Sequence, residues 1–300
     1  MIKQLYSTAK FILTHPLIKK NKKWDSLVNF IFWQIGARLL TKKVIVPWVE
    51  DSKLIIGLGE TGATGNIYTG FAEYQDMLFL LHALQPEETF VDIGANIGVY
   101  TILASKVIRA NSISFEPIQN AFDRLEDQVK INRIDHLVRI ENKGVGEKNE
   151  TLFFTNNIDT VNKVSLAGDV ANTTEIEVIA LDDVLKKNEK HFIKIDVEGF
   201  EYKVILGAKD TLSSPNTVGL IIELNGSSEE FGSSNSEIHN KLLSFNFYPV
   251  SYDPFNRSLV RIKDYNKNGG NTIYIKDIEL IARRCKNAPK RRVNTIGMEM

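Results

Sequence analysis

Residues 91 to 101 read VDIGANIGVYT, an apolar run that breaks at two glycines and an asparagine before a helical pattern begins. Strand, tight turn and helix succeed one another in that order, because Phe90–Ile93 reads as a buried strand and Gly94–Asn96 must turn the chain. In open α/β sheets such a turn lies at the carboxyl end of a strand, where ligands bind. Gly94 permits the tight bend, and Gly98 on the first helical turn removes a side chain that would fill the same space. Room is left for a flat, polar ligand.

The surrounding pattern repeats the unit. Strands are expected at Thr89–Ile93, Ile113–Phe115, Val138–Glu141, Phe192–Ile195 and Leu220–Glu223. Helices are expected from Ile97 to about Val107, with Tyr100, Leu103 and Val107 on one face, and from about Gln119 to Asn132. Two successive crossovers imply a parallel sheet, since βαβ units are almost always right-handed. The section from Glu150 to about Leu185 reads as a hairpin excursion around a polar stretch at Asn156–Asn162. A helix near Glu237–Phe245 precedes FYPVSYD, SLVRI and NTIYI, three antiparallel strands closing the sheet, and the basic tail beyond Ile281 is expected to be weakly ordered.

The residues around the turn fix the charge of the ligand. The spacing of Gly94 and Gly98 departs from the dinucleotide pattern G-x-G-x-x-G. Asp92 would repel a pyrophosphate and attract an ammonium or sulfonium group. S-adenosylmethionine carries both cations. Glu116 in ISFEP, about twenty residues past the turn, is placed to accept hydrogen bonds from ribose hydroxyls. Asn96, Tyr100 and Pro117 complete the expected cofactor set. A better match to the dinucleotide pattern, GLGETGATG with Gly57, Gly59 and Gly62, is set aside. The NIYTGFAEY run after it does not read as a helix entry, no acid sits on a second strand, and the segment is taken as a turn between strands or a loop near the substrate.

A second constellation, FIKIDVEGFE at 192–201, again ends a strand in acids and a glycine. Lys194, Asp196 and Glu198 alternate with period two and share one direction. Carboxylates crowded in one cleft raise each other's pKa, which suits a general base. The structural alternatives are that Glu198 or Glu201 caps the next helix and that Lys194 merely neutralises Asp196.

The segments FVDIGANIGVYTILAS, FEP, LDDVL, FIKIDVEGFEYKVILGA and GLIIELNG, in this order, resemble the FkbM-type S-adenosylmethionine-dependent methyltransferases. The resemblance covers roughly residues 68–275. It implies a class I methyltransferase fold, Rossmann-like and doubly wound, with a mostly parallel seven-stranded sheet whose last strand is reversed. It also implies O-methylation of a hydroxyl, with a sugar of a surface polysaccharide or glycolipid as the leading acceptor. Carried over, Asp92, Gly94, Asn96 and Gly98 match the cofactor turn and Glu116 the ribose acid. Asp196, Glu198 and Glu201 match the acidic motif facing the acceptor, with Glu223 lining the same crevice.

The expected organisation is a basic N-terminal helical and hairpin extension (1–85), a methyltransferase domain (86–280) and a tail (281–300). No resident metal is expected; a divalent cation on Asp196 and Glu198, as in metal-assisted methylation of a small natural product, is the alternative. A nucleoside-binding protein without chemistry and an NAD-dependent oxidoreductase are the competing classes. The three carboxylates argue against the first, and the glycine spacing and Asp92 against the second.

Composition limits the partners. The 37 basic and 37 acidic residues cancel, so nothing global favours nucleic acid. The single Cys285 excludes an internal disulfide, and the five histidines show no metal spacing, which fits a reducing cytoplasm. The first fifty residues depart from neutrality. They hold Lys3, Lys10, Lys19, Lys20, Lys22, Lys23, Arg38, Lys42 and Lys43 against Asp25 and Glu50, with Trp24, Phe30, Phe32 and Trp33 among them. Two readings stand: a helix packed on its own domain with a solvated lysine face, or an amphipathic helix in peripheral contact with an anionic membrane.

Overall fold

The computed structural model describes residues 2–18, 23–40, 43–57, 61–155, 173–268 and 270–300. Two helices, α1 (Ile2–Thr14) and α2 (Lys23–Leu40), lead into a hairpin of β1 (Val44–Pro47) and β2 (Lys53–Ile56) and then α3 (Thr61–Thr69) and α4 (Tyr74–Ala83). The alternating core begins at β3 (Thr89–Ile93). It is followed by α5 (Val99–Ile102), which runs on as a π-helical segment over Leu103–Ile108, then β4 (Asn111–Phe115), α6 (Gln119–Asn132) and β5 (Val138–Glu141). Next come β6 (Gly144–Gly146), β7 (Glu150–Thr155), β8 (Thr173–Ala180), β9 (His191–Ile195), α7 (Glu201–Leu206), α8 (Lys209–Ser213) and β10 (Thr217–Glu223). The chain closes with α9 (Asn235–Ser244), β11 (Tyr248–Asp253), β12 (Ser258–Arg261), β13 (Asn271–Ile275), α10 (Ile278–Asn287) and a short pair, β14 (Arg292–Val293) and β15 (Met298–Glu299).

The main sheet runs β12-β11-β13-β10-β9-β3-β4-β5. The pairs β3–β4, β4–β5, β3–β9 and β9–β10 are parallel, and β13 enters antiparallel between β10 and β11. This is the expected class I arrangement with its reversed strand. It has eight strands rather than seven, because SLVRI folds back on β11 as an antiparallel edge. Strands β3, β9 and β10 lie centrally between helical layers, which is why they read as continuous apolar runs. The excursion is the antiparallel hairpin β7–β8, with β6 added to make a small sheet; Asn156–Asn162 lie outside the described residues.

Two expectations fail. The tail is ordered: α10 buries Ile281 and Cys285, and Val293 bridges to Val49. Arg284 reaches Glu88 with two hydrogen bonds of 2.8 and 3.0 Å, which pins α10 to the chain entering β3. Its basic residues are spaced so that the apolar ones share a face, a pattern that net charge alone conceals. The glycine-rich GLGETGATG also does not join two strands. It leads from β2 into α3, where Asn66 accepts from the Ala72 backbone and Tyr68 packs on Phe30; Gly59 is outside the described residues.

Candidate active site

The turns after β3 and β9 touch. Gly94 has φ +78°, and a β-carbon there would sit 1.8 Å from the Asp196 carbonyl oxygen, so only glycine lets the two strand ends approach. The Asp196 backbone N–H donates to Ile93 O at 3.0 Å, and those of Gly94 and Ala95 donate to Phe115 O at 3.0 and 2.9 Å. Three parallel strand ends are thus joined at one edge of the sheet. Gly98, at φ +82°, is required for a different reason than expected. A side chain there would strike Leu125 of α6 at 2.4 Å, so this glycine serves helix packing rather than ligand space.

The joined ends open into a cleft of about 790 Å³, part of it facing solvent. Gly94, Asn96, Glu116, Pro117, Asp196 and Glu198 line it, opposite apolar walls from Ile118, Val145, Val197 and Phe200. Glu116 is buried and held at both oxygens, accepting from the Asn96 N–H at 2.8 Å and the Ile118 N–H at 2.9 Å. Burial pushes its carboxyl up to about 7, against the pull of those two N–H groups. Asn96 adopts φ +50°, which aims its N–H at that carboxylate.

Asp92 is not at the cleft surface. Its strand position turns it into the helical layer, where it is buried and accepts from the Thr101 hydroxyl at 2.7 Å; Thr101 in turn meets Ser114 at 2.7 Å. Burial raises its pKa, and the nearby Lys194 opposes that rise. The negative lining therefore comes from Glu116, Asp196 and Glu198. Tyr100 is displaced in the same way. Its hydroxyl donates to Glu73 at 2.5 Å and its ring lies 4.8 Å beneath the Lys194 ammonium, away from the cleft walls.

Beyond the cleft the acids gather. Lys194, paired across the sheet with Asp92, is buried and donates to Asp196 Oδ2 at 2.7 Å. Burial alone would depress its pKa, but Asp196, Glu73 and Asp92 together hold it above the ordinary lysine value. Carboxylate oxygens of Asp196, Glu198 and Glu223 all lie within 4.8 Å of one another. Glu223 is pushed up to about 8, by burial first and then by the charges of Asp196 and Glu198. Glu198 reaches this position at φ +51°, a left-handed conformation that glutamate adopts only under constraint.

Glu201 is engaged in the fold and does not line the cleft. It is buried at the start of α7 and accepts from the Gly199 N–H at 3.0 Å, the Val197 N–H at 3.4 Å and the Ser228 hydroxyl at 2.9 Å. Its carboxylate braces the turn that carries Glu198. The structure adds residues that the motifs do not contain. Asp76, in the first turn of α4, is pushed up to about 7 by burial and by Glu73. The Asn271 amide donates to both, at 3.2 and 3.3 Å, from the position on β13 opposite Glu223. An acid in the first turn of a helix reads as a dipole partner, and Asn271 as a strand end, so neither signalled a site.

Chemically, the arrangement offers a cleft with an anionic floor at Glu116 and, at its other end, three clustered carboxylates with a buried ammonium beside them. A family model described as the methyltransferase FkbM domain matches residues 92–249, just over half the chain. The hexuronic acid methyltransferase AglP of Haloferax volcanii is 29% identical over 157 residues, which are 50% of this chain and 62% of that protein. This chain thus spans less than two thirds of that relative's length. Among solved structures, the methyltransferase FkbM from Methylobacillus flagellatus KT aligns with a TM-score of 0.46 at 16% identity, over 84% of this chain and 60% of that one. TYW2 of M. jannaschii in complex with AdoMet gives 0.40 at 13% identity, over 78% and 84%.

Proposed function

Because the chain belongs to the FkbM methyltransferase family, we propose that it transfers the methyl group of S-adenosylmethionine to a hydroxyl of a sugar acceptor. The observation that carries the reading is the convergence of Asp196, Glu198 and Glu223 at the end of the cleft that begins at Glu116. The cofactor's chemistry is an electrophilic methyl on a sulfonium, and the residues present fit such a group. The Glu116 oxygens keep unused lone pairs for ribose hydroxyls, the apolar wall of Ile118, Val145 and Phe200 suits a purine, and the anionic lining suits a cation.

In an in-line displacement to oxygen, charge disappears, so the chain contributes chiefly by alignment in a water-poor cleft. A protonated alcohol is a poor nucleophile. Asp196 or Glu198 accepts the hydroxyl proton as the C–O bond forms, and Lys194 holds Asp196 in place at 2.7 Å. The acceptor leaves as a methyl ether. Glu223, pushed up to about 8 by burial and by the charges of Asp196 and Glu198, keeps its own proton beside them at neutral pH.

The sugar acceptor rests on the family and on the relative named as a hexuronic acid methyltransferase. The test is a panel of hexoses, hexuronic acids and oligosaccharides incubated with S-adenosylmethionine and read by mass spectrometry. Gain of one methylene on an oxygen supports the reading. Binding of NAD in preference to S-adenosylhomocysteine by calorimetry overturns it. A second reading, favoured by the spacing of the three carboxylates, has a divalent cation held by Asp196, Glu198 and Glu223 to acidify the hydroxyl. Loss of turnover on chelation, restored by the metal, would select it.

A further inference from the structure

Helix α2 is apolar on two sides, and only one of them has a partner among the described residues. Its inner side buries Ser26 and Phe30, with Phe30 packed edge-on against Tyr68 at 5.2 Å and beside Ile12 of α1. On the outer side, Trp24, Val28, Ile31, Phe32 and Ile35 are between 45% and 74% exposed. At 3.6 residues per turn these five fall within an arc of about 100°, a continuous stripe rather than scattered apolar residues. A chain that left such a stripe to water would carry a large exposed apolar patch, which marks an interaction surface.

We propose that this outer face of α2 docks on the surface of an anionic bilayer. Charge selects this occupant. The sequence places Lys19, Lys20, Lys22 and Lys23 immediately before the stripe and Arg38, Lys42 and Lys43 after it, with Asp25 the only acid in the first 49 residues. Anionic headgroups would neutralise these cations while the apolar residues enter the acyl boundary. A second copy of the chain meeting the same face around a two-fold axis would instead bring two sets of cations together, at a Coulombic cost. Trp24, at one end of the stripe and 74% exposed, has the amphipathic ring that settles at headgroup depth. The helix would lie along the surface. Among the described residues no helix is long and apolar enough to cross a membrane.

The test is flotation of the full chain with vesicles of phosphatidylcholine alone or mixed with phosphatidylglycerol. Binding is expected only to the anionic vesicles and should fall about tenfold in molar salt, where the screening length drops to about 3 Å. A Trp24→Ser, Phe32→Ser double variant should bind at least about tenfold more weakly, since two large apolar side chains no longer insert. Both positions are largely exposed, so its melting temperature should match the wild type. A Lys20→Glu, Lys22→Glu, Lys23→Glu variant, which keeps the stripe, should lose the preference for anionic lipid. Absence of wild-type binding to anionic vesicles overturns the proposal. So does a lipid-free dimer that the double variant converts to monomer in sedimentation equilibrium.

Discussion

Replacing Glu223 by glutamine should make the protein more stable in alkali and leave it unchanged in acid. The folded state holds this carboxyl at about 8 against an ordinary 4.5, because burial and the charges of Asp196 and Glu198 oppose its ionisation. Between those two values the folded chain keeps a proton that the unfolded chain has released. Stability therefore falls as pH rises through that window and is fully recovered below it. Taken at face value the displacement amounts to about 5 kcal/mol at high pH. Partial access to water, which screens those charges, reduces the recoverable part to about 1–2 kcal/mol. Glutamine keeps the acceptor oxygen for the Asn225 amide, now at 2.9 Å, and removes only the charge. Thermal unfolding by circular dichroism should show a gain of about 2–4 °C at about pH 8.5 and no gain at about pH 4, below the ordinary carboxyl value. A divalent cation that binds the cluster would raise the wild-type midpoint at alkaline pH and leave the variant's unmoved. Equal shifts at both pH values, or a loss at the alkaline one, would refute the electrostatic account of this cluster.

Three further substitutions separate the roles assigned above. Asp196→Asn should lower turnover by about 10²–10⁴ with S-adenosylhomocysteine affinity by calorimetry nearly unchanged, since the proton acceptor is lost and the cofactor turn is not. Gly94→Ala forces a β-carbon onto the Asp196 carbonyl at positive φ and should cost about 3 kcal/mol or more, measured by denaturant unfolding, and abolish cofactor binding. Glu201→Ala leaves the buried Gly199 N–H without its acceptor and should cost about 1–3 kcal/mol. If Glu201 acts only as a brace, Glu201→Gln, which retains an acceptor oxygen, should recover most of the turnover, whereas a chemical role would leave it inactive.

The parts of this site that could be read in the chain were those whose chemistry is local. Strand-end acids, the Gly94 turn and the Gln119–Asn132 helix emerge from periodicity and spacing within about thirty residues. Direction was harder. Asp92 and Glu116 both end strands, yet one faces the helical layer and the other the cleft, a difference set by packing against Thr101 and by the backbone of Asn96. Glu201 shows the same limit, since nothing in its letter says that its carboxylate accepts from the Gly199 N–H and the Ser228 hydroxyl. Asp76 and Asn271 were illegible because 195 positions separate them, and only the insertion of β13 beside β10 brings them together. In α10, the alternation of basic and apolar residues hid a packed helix behind a charge excess.

Under the proposed function, the contact between Gly94 and Asp196 gauges the donor and acceptor halves of the reaction from a single point. Asp196 meets the Gly94 turn with its main chain and the carboxylate cluster with its side chain, so neither can be widened without retuning the other. Under the proposed function, variation in acceptor range is then steered to groups fastened elsewhere, such as Asp76 of α4 and Asn271 of β13, where changes leave the spacing between methyl and hydroxyl intact. A scaffold built this way can exchange its acceptors while its methyl-transfer distance stays fixed.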